Sequence, residues 1–157
     1  MFTLTQWDFK VPEKLDCPNF TLKKLTIDDA YIDYMVVMTN RDFIIKTRGG
    51  HWPSAHHTFE DNLIDVCWFH REFDQKSTFA FGVWNKDKEY IGCVYLYWPG
   101  SREETDPEAD VDVSFWVTQH AYDEGLYEEL YQTLQQWLAE EWPFEHPHWS
   151  NSELPGS

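Results

Sequence analysis

The loop HAYDEG, His120 to Gly125, joins an alternating apolar segment, VDVSFWV (Val111–Val117), to an amphipathic one that begins at Leu126. A strand, loop and helix in this order suit anion binding, because the first amides of a helix lack partners and sit at its positive end. Gly125 supplies a residue that lets backbone come close to such an anion. Asp123 and Glu124 work against it. A carboxylate a few ångströms from another negative charge near a surface costs on the order of 1–4 kcal/mol. Both are expected instead to serve as N-cap and first-turn acids of the following helix, taking the amides a phosphate would otherwise take. His120 adjoins the loop and is a candidate general base.

The histidines offer a second chemistry. His51, His56 and His57 share the stretch HWPSAHH, and His146 and His148 share HPH. Imidazoles bind zinc or nickel when three or four donors converge in a fixed geometry. No Cys or Asp spacing accompanies these, so no metal site is expected.

The rest of the chain must position these groups, and 157 residues suffice for one sizeable core. The domain is expected to span 1–157, with an irregular arm over 1–19 and a short tail over 143–157. Aromatic residues make up 18% of the chain, with nine Trp, so the core should be rich in rings. The net charge of −16 argues against nucleic acid or an anionic membrane surface as partner. The acidity is uneven: residues 103–157 hold 14 of the 28 Asp and Glu and none of the 12 Lys and Arg. An amine substrate would be steered toward that third. No stretch reaches the ~20 apolar residues of a membrane span, and the N-terminus does not read as a signal peptide. Cys17, Cys67 and Cys93 are odd in number and widely spaced, which fits free thiols in a cytoplasmic protein.

Phe20–Leu25 alternates with period two and predicts a strand. Thr26 then opens a helical pattern through Asn40, residues 47–57 form a loop with Gly49, Gly50 and Pro53, and Thr58 opens a second helix. Thr78–Asn85, Tyr90–Pro99 and the Val111–Val117 segment read as a three-strand meander. Asp110, Asp112 and Ser114 share one face of the last strand. Leu126, Leu130, Leu134 and Leu138 recur every fourth residue in a long helix that Pro143 ends. Beyond it there is room for one short extended segment. This order implies a mixed α/β fold of the α+β type, a largely antiparallel sheet packed by helices.

Several strings, taken in order, resemble the GNAT superfamily of N-acetyltransferases over roughly residues 20–142. FTLKKLTIDDAYIDYM is similar to its opening strand and first helix, YIGCVYLY to its third strand, and ADVDVSFWV to its fourth. The resemblance implies a GNAT-like fold, shortened at the C-terminal end, with acetyl-CoA as cosubstrate and a small-molecule or protein amine as acceptor. It places Phe115, Trp116, Val117, Gln119, Gly125 and Leu126 at the cofactor and Trp52 and Asp110 at the acceptor. Asp112 then becomes the candidate base and Tyr97 a candidate acid, beside His120. The family's loop pattern, R/Q-x-x-G-x-G/A, is met here only at Gly125, because Tyr122 and Tyr127 replace its first and last positions. The resemblance thus leaves two functions open: an acetyltransferase, or a scaffold that has lost acetyl-CoA and binds another ligand or a protein. Strand exchange at the C-terminal end would make a homodimer.

Overall fold

A computed structural model describes residues 2–156. One sheet of six strands runs in the order of the chain: β1 (Lys14–Asp16), β2 (Phe20–Lys24), β3 (Phe79–Asn85), β4 (Tyr90–Tyr97), β5 (Val111–Val117) and β6 (Pro147–Trp149). The first five are antiparallel neighbours, and β6 lies parallel to β5. The expected mixed, mostly antiparallel architecture is the one observed. Three features escaped the pattern, one of them a short helix in the expected loop after β5. The arm contributes β1, and a further helix, α2 (Arg41–Arg48), follows α1 (Ala30–Thr39) after a break at Asn40.

Helices cover both faces of the sheet. On one side α5 (Leu126–Glu141) lays Leu130, Leu134, Trp137 and Leu138 against Phe81, Val94, Val113 and Phe115. On the other, α1, α2 and α3 (Phe59–Asp74) set Val37, Ile44 and Val66 against Tyr90, Cys93, Tyr95 and Trp116. Burial on both faces explains why β5 is closed to solvent at every residue while still alternating in sequence: Asp112 and Ser114 are enclosed, too. The expected N-caps are in place. Thr58 accepts from the Asp61 amide at 3.1 Å while Asp61 reaches back to the Thr58 amide at 3.0 Å. Thr26 and Asp29 form the same reciprocal pair around a 3-10 turn.

The expectation for Asp123 and Glu124 is overturned. Thr118 caps a separate short helix, α4 (Gln119–Asp123), by accepting from the Ala121 amide at 3.1 Å. Glu124 ends that helix, and Gly125, at φ 87°, reverses the chain into α5. The start of α5 therefore carries no side-chain cap, and the acids of its first turn are Glu128 and Glu129. Glu124 instead pairs with exposed His120 at 3.3 Å. No helix among the described residues is long and apolar enough to cross a membrane.

Candidate functional site

β5 and β6 pair for only three residues, Val111 to Val113 against Pro147 to Trp149, and the Ser150 amide makes the last backbone bond, to Val113 O at 3.0 Å. From there the strands part. Phe115, the next residue of β5 with its backbone turned to that side, is met by a side chain. Asn151 accepts from Phe115 N–H at 3.0 Å and donates to Phe115 O at 2.9 Å, so a carboxamide sits where a peptide of a neighbouring strand would. The same Asn151 Nδ2 donates to the Tyr127 hydroxyl at 2.6 Å, which donates to Glu153 O at 2.6 Å. Tyr127 is buried, and burial pushes its phenol up to about 12, so it stays protonated. It comes from the first turn of α5, whose uncapped start lies alongside. A hollow of about 240 Å³ there is lined by Gly125, Tyr127, Glu128 and Glu153 among others, and by no Lys or Arg.

Residues 150–153 separate this splay from a larger cavity, of about 400 Å³, on the α1–α3 face. The end of α2 builds one wall. Its terminal carbonyls are taken by the Ser152 amide (to Arg48 O, 3.2 Å), the Glu153 amide (to Thr47 O, 3.0 Å) and the Arg102 guanidinium, which donates to Arg48 O at 3.1 Å and Gly49 O at 3.2 Å. Arg102 also donates to Ser150 Oγ at 2.9 Å, strapping the α2 terminus to the segment after β6. Gly49, at φ 90°, is required here, since a Cβ would stand 2.2 Å from Ser152 Oγ. Arg48 is buried, lies 4.2 Å over the Tyr95 ring and donates through Nε to Ser114 Oγ at 3.2 Å. Trp52 forms another side. It packs on His57 at 5.9 Å, and His57 is fixed by Asn62 Oδ1 at 2.9 Å. Asn62 in turn donates to buried Asp33, which also receives the Tyr90 hydroxyl.

The titratable groups of this cavity are perturbed chiefly by burial. It raises Asp65 on α3 and pushes Tyr97 up to about 12, against the opposing field of Arg48. It lowers Arg102, helped by Arg48. Asp112 lies beneath, raised by burial; its Oδ1 accepts from Ser150 Oγ at 2.7 Å and its Oδ2 has no partner. Among the described residues no cluster of His, Cys, Asp or Glu could hold a metal ion.

No protein-family model and no curated protein sequence matches the chain. Solved structures do. The RimL ribosomal L7/L12 alpha-N-protein acetyltransferase aligns over 82% of this chain at 13% identity, with a TM-score of 0.60. The ribosomal-protein-S5-alanine acetyltransferase from Vibrio fischeri aligns over 80% at 16% identity, with a TM-score of 0.62. The microcin C7 self-immunity acetyltransferase MccE, solved with acetyl-CoA and AMP, aligns over 81% at 13% identity and 0.60. The chain has the GNAT fold. It spans 64%, 66% and 67% of the lengths of those three proteins. RimL has also been solved with coenzyme A.

Within the GNAT frame the anticipated residues fall into three places. Phe115, Gly125 and Leu126 gather at the splay and the start of α5, next to Trp116 and Val117, both buried in β5. Trp116 uses its indole N–H on the Tyr95 hydroxyl at 3.0 Å. Trp52 and Tyr97 line the larger cavity, with Asp112 linked to it through Ser150. The remainder stand apart. His120 is 87% exposed, and the Gln119 amide donates to Asn40 Oδ1 at 3.1 Å. Asp110 accepts from the Glu145 and His146 amides at 2.7 and 3.0 Å, closing the turn into β6. Arg48, Asp65 and Asn151 were not anticipated, nor was the place of Arg102 beside Arg48. No local pattern marks them, since Arg48 and Arg102 converge from 54 positions apart. The one available signal was that Arg102 is the last basic residue before an acidic third.

The splay can be tested for acetyl-CoA on its own residues. Asn151 shows that the Phe115 edge accepts an amide as donor and acceptor at once, and the amides opening α5 are free of side-chain caps. Both features fit a ligand that carries amides and phosphates, provided the Asn151 and Tyr127 side chains yield. Glu128 weakens that fit electrostatically, whereas Glu153 is paired with Lys46 at 3.0 Å.

Proposed function

We propose that the protein transfers an acetyl group from acetyl-CoA to an amine held in the cavity on the α1–α3 face. The observation that supports this best is the Asn151 carboxamide on the Phe115 edge, beside an uncapped helix start. When bound, acetyl-CoA would supply the thioester. Phe115 would then offer its N–H and C=O to the amide-bearing arm in place of Asn151, and the amides of α5 would face the phosphates. Tyr97, held protonated, is a proton donor at the cavity wall. Asp65, a half-buried carboxylate with raised proton affinity, is suited to accept the ammonium proton. Asp112 is fully buried and acts as a positioning residue, holding Ser150.

A second reading, a scaffold that binds some other ligand or a protein, is favoured by Tyr127. Its ring fills the splay and is bonded on two sides, and the adjoining hollow is acidic. Calorimetric titration with acetyl-CoA at low and high salt separates the two. The acetyltransferase reading expects binding that strengthens with salt as Glu128 is screened, Glu153 being already paired with Lys46. No heat and no thermal shift at either salt would leave the scaffold.

A further inference from the structure

We propose that the cavity on the α1–α3 face binds a zwitterionic small molecule of the amino-acid class, with its anionic group on Arg48 and its ammonium facing Asp65. The proposal rests on the acetyltransferase reading only for what becomes of the amine.

Arg48 carries the argument. It is 6% exposed, yet no carboxylate lies within ion-pair distance of it among the described residues. Its polar neighbours are two hydroxyls, Ser114 through Nε and Tyr97, and its guanidinium carbon lies 4.2 Å from the centre of the Tyr95 ring. A buried cation without a counter-ion is costly, and buried charges in folded proteins are ordinarily paired. Arg48 lines the cavity, so an incoming anion can complete it. Arginine presents a planar fork that matches carboxylate or phosphate oxygens two at a time.

The other walls restrict the ligand further. Arg102 is committed to backbone carbonyls and Ser150, so it adds positive field and leaves direct bonding to Arg48. Glu103 is engaged by His148 at 2.8 Å. Asp65, hydrogen-bonded with Trp52 but with no cation on it among the described residues, is thus the acid left to face an ammonium, and a cavity offering one cation and one anion suits a molecule with both charges. Trp52, Phe69 and Tyr95 supply ring surface for an apolar body. A volume of about 400 Å³ accommodates one amino acid or a short peptide. The net acidity of the chain does not decide specificity here, because the cavity's own charges are the near ones.

The test needs no acetyl-CoA. Quenching of tryptophan fluorescence, checked by calorimetry, would follow titration of the full chain with phenylalanine, phenylalanine amide, 3-phenylpropionate and phenyl phosphate. Phenylalanine is expected to bind at least about tenfold more tightly than its amide. Arg48→Met is expected to remove about the same factor for phenylalanine and little for the amide. Asp65→Asn should weaken phenylalanine but spare 3-phenylpropionate, which lacks the amine. Tighter binding of phenyl phosphate than of 3-phenylpropionate would assign the anion as phosphate and keep the Arg48 site. Should Arg48→Met fail to fold, the comparison of acid with amide on the parent protein decides alone. Equal binding of the two, or no binding of any probe at millimolar concentration, overturns the proposal. Acetyl-CoA binding with no phenylalanine binding would overturn this inference while leaving the acetyltransferase reading intact.

Discussion

Replacing Asn151 by Ala removes one side chain and leaves two backbone groups of β5 without partners. Asn151 makes three bonds: from Phe115 N–H at 3.0 Å, to Phe115 O at 2.9 Å and to the Tyr127 hydroxyl at 2.6 Å. The third is the least costly to lose, because Tyr127 keeps Glu153 O at 2.6 Å as acceptor. The Phe115 groups are enclosed, and each buried group left unmet costs about 1–2 kcal/mol. The variant should therefore lose about 2–4 kcal/mol, which for a chain of this length lowers Tm by about 6–12 °C. Urea denaturation followed by tryptophan fluorescence measures the first, and a thermal melt the second. Asn151→Asp is the control. It keeps an acceptor for Phe115 N–H but sets a carboxylate oxygen against Phe115 O, so it should be no better than Ala. If acetyl-CoA takes the same two groups, Asn151→Ala also removes a competitor, and acetyl-CoA should raise the Tm of the variant more than that of the parent. A loss below about 0.5 kcal/mol would refute the reasoning, since the Phe115 edge would then be satisfied without Asn151.

Gly92→Ala places a Cβ 2.3 Å from Trp116 O and 3.2 Å from Val117 Cα, so β4 and β5 must move apart, at a cost of about 1–3 kcal/mol by urea denaturation; a neutral result would mean the strands do not approach so closely. Asp112 supplies a pH dependence. Burial raises its pKa in the folded state above the ordinary carboxylate value, so between the two values the folded protein holds the extra proton and stability falls as pH rises. Asp112→Asn removes this penalty: relative to the parent it should be more stable near neutral pH, and the advantage should shrink as pH drops toward 4. A difference that stays constant over that range would exclude the carboxylate as its source.

Most of the fold was legible because its elements obey one period at a time. The leucines of α5 recur every fourth residue, Thr58 and Asp61 announce α3, and VDVSFWV alternates cleanly. The helix α2 was missed for a physical reason. RDFIIKTR follows α1 across Asn40, whose side chain caps neither helix start but accepts from the Gln119 amide 79 residues on. Asp123 and Glu124 misled because Thr118 had already opened a helix before them, and Gly125 then reset the chain. A cap is decided by where the backbone turns, not by the nearest acid. Phe115 was read from the strand pattern and lies in β5, and Trp52 and Tyr97 both line the cavity on the α1–α3 face. The arginine contacts were not legible, because α2, the loop after β4 and the segment after β6 meet only once the sheet has formed.

The two candidate sites carry opposite electrostatics, and that makes them separable. The hollow at the start of α5 is lined by no basic residue and bordered by Glu128, while its Glu153 is paired with Lys46 at 3.0 Å, so an anion arriving there meets repulsion from Glu128 that salt relieves. The cavity on the α1–α3 face also holds Asp65 and Glu103, but an anion seated on Arg48, with Arg102 adding positive field, is attracted locally, and salt weakens that attraction. The Debye length is about 10 Å at 0.1 M salt, comparable to the dimensions of either site, so a modest salt series spans the relevant range. An acidic chain taken as a whole predicts one sign for every anion. Opposite salt slopes for acetyl-CoA and for a carboxylate probe would show that local residues, rather than the net charge of −16, govern what each site accepts.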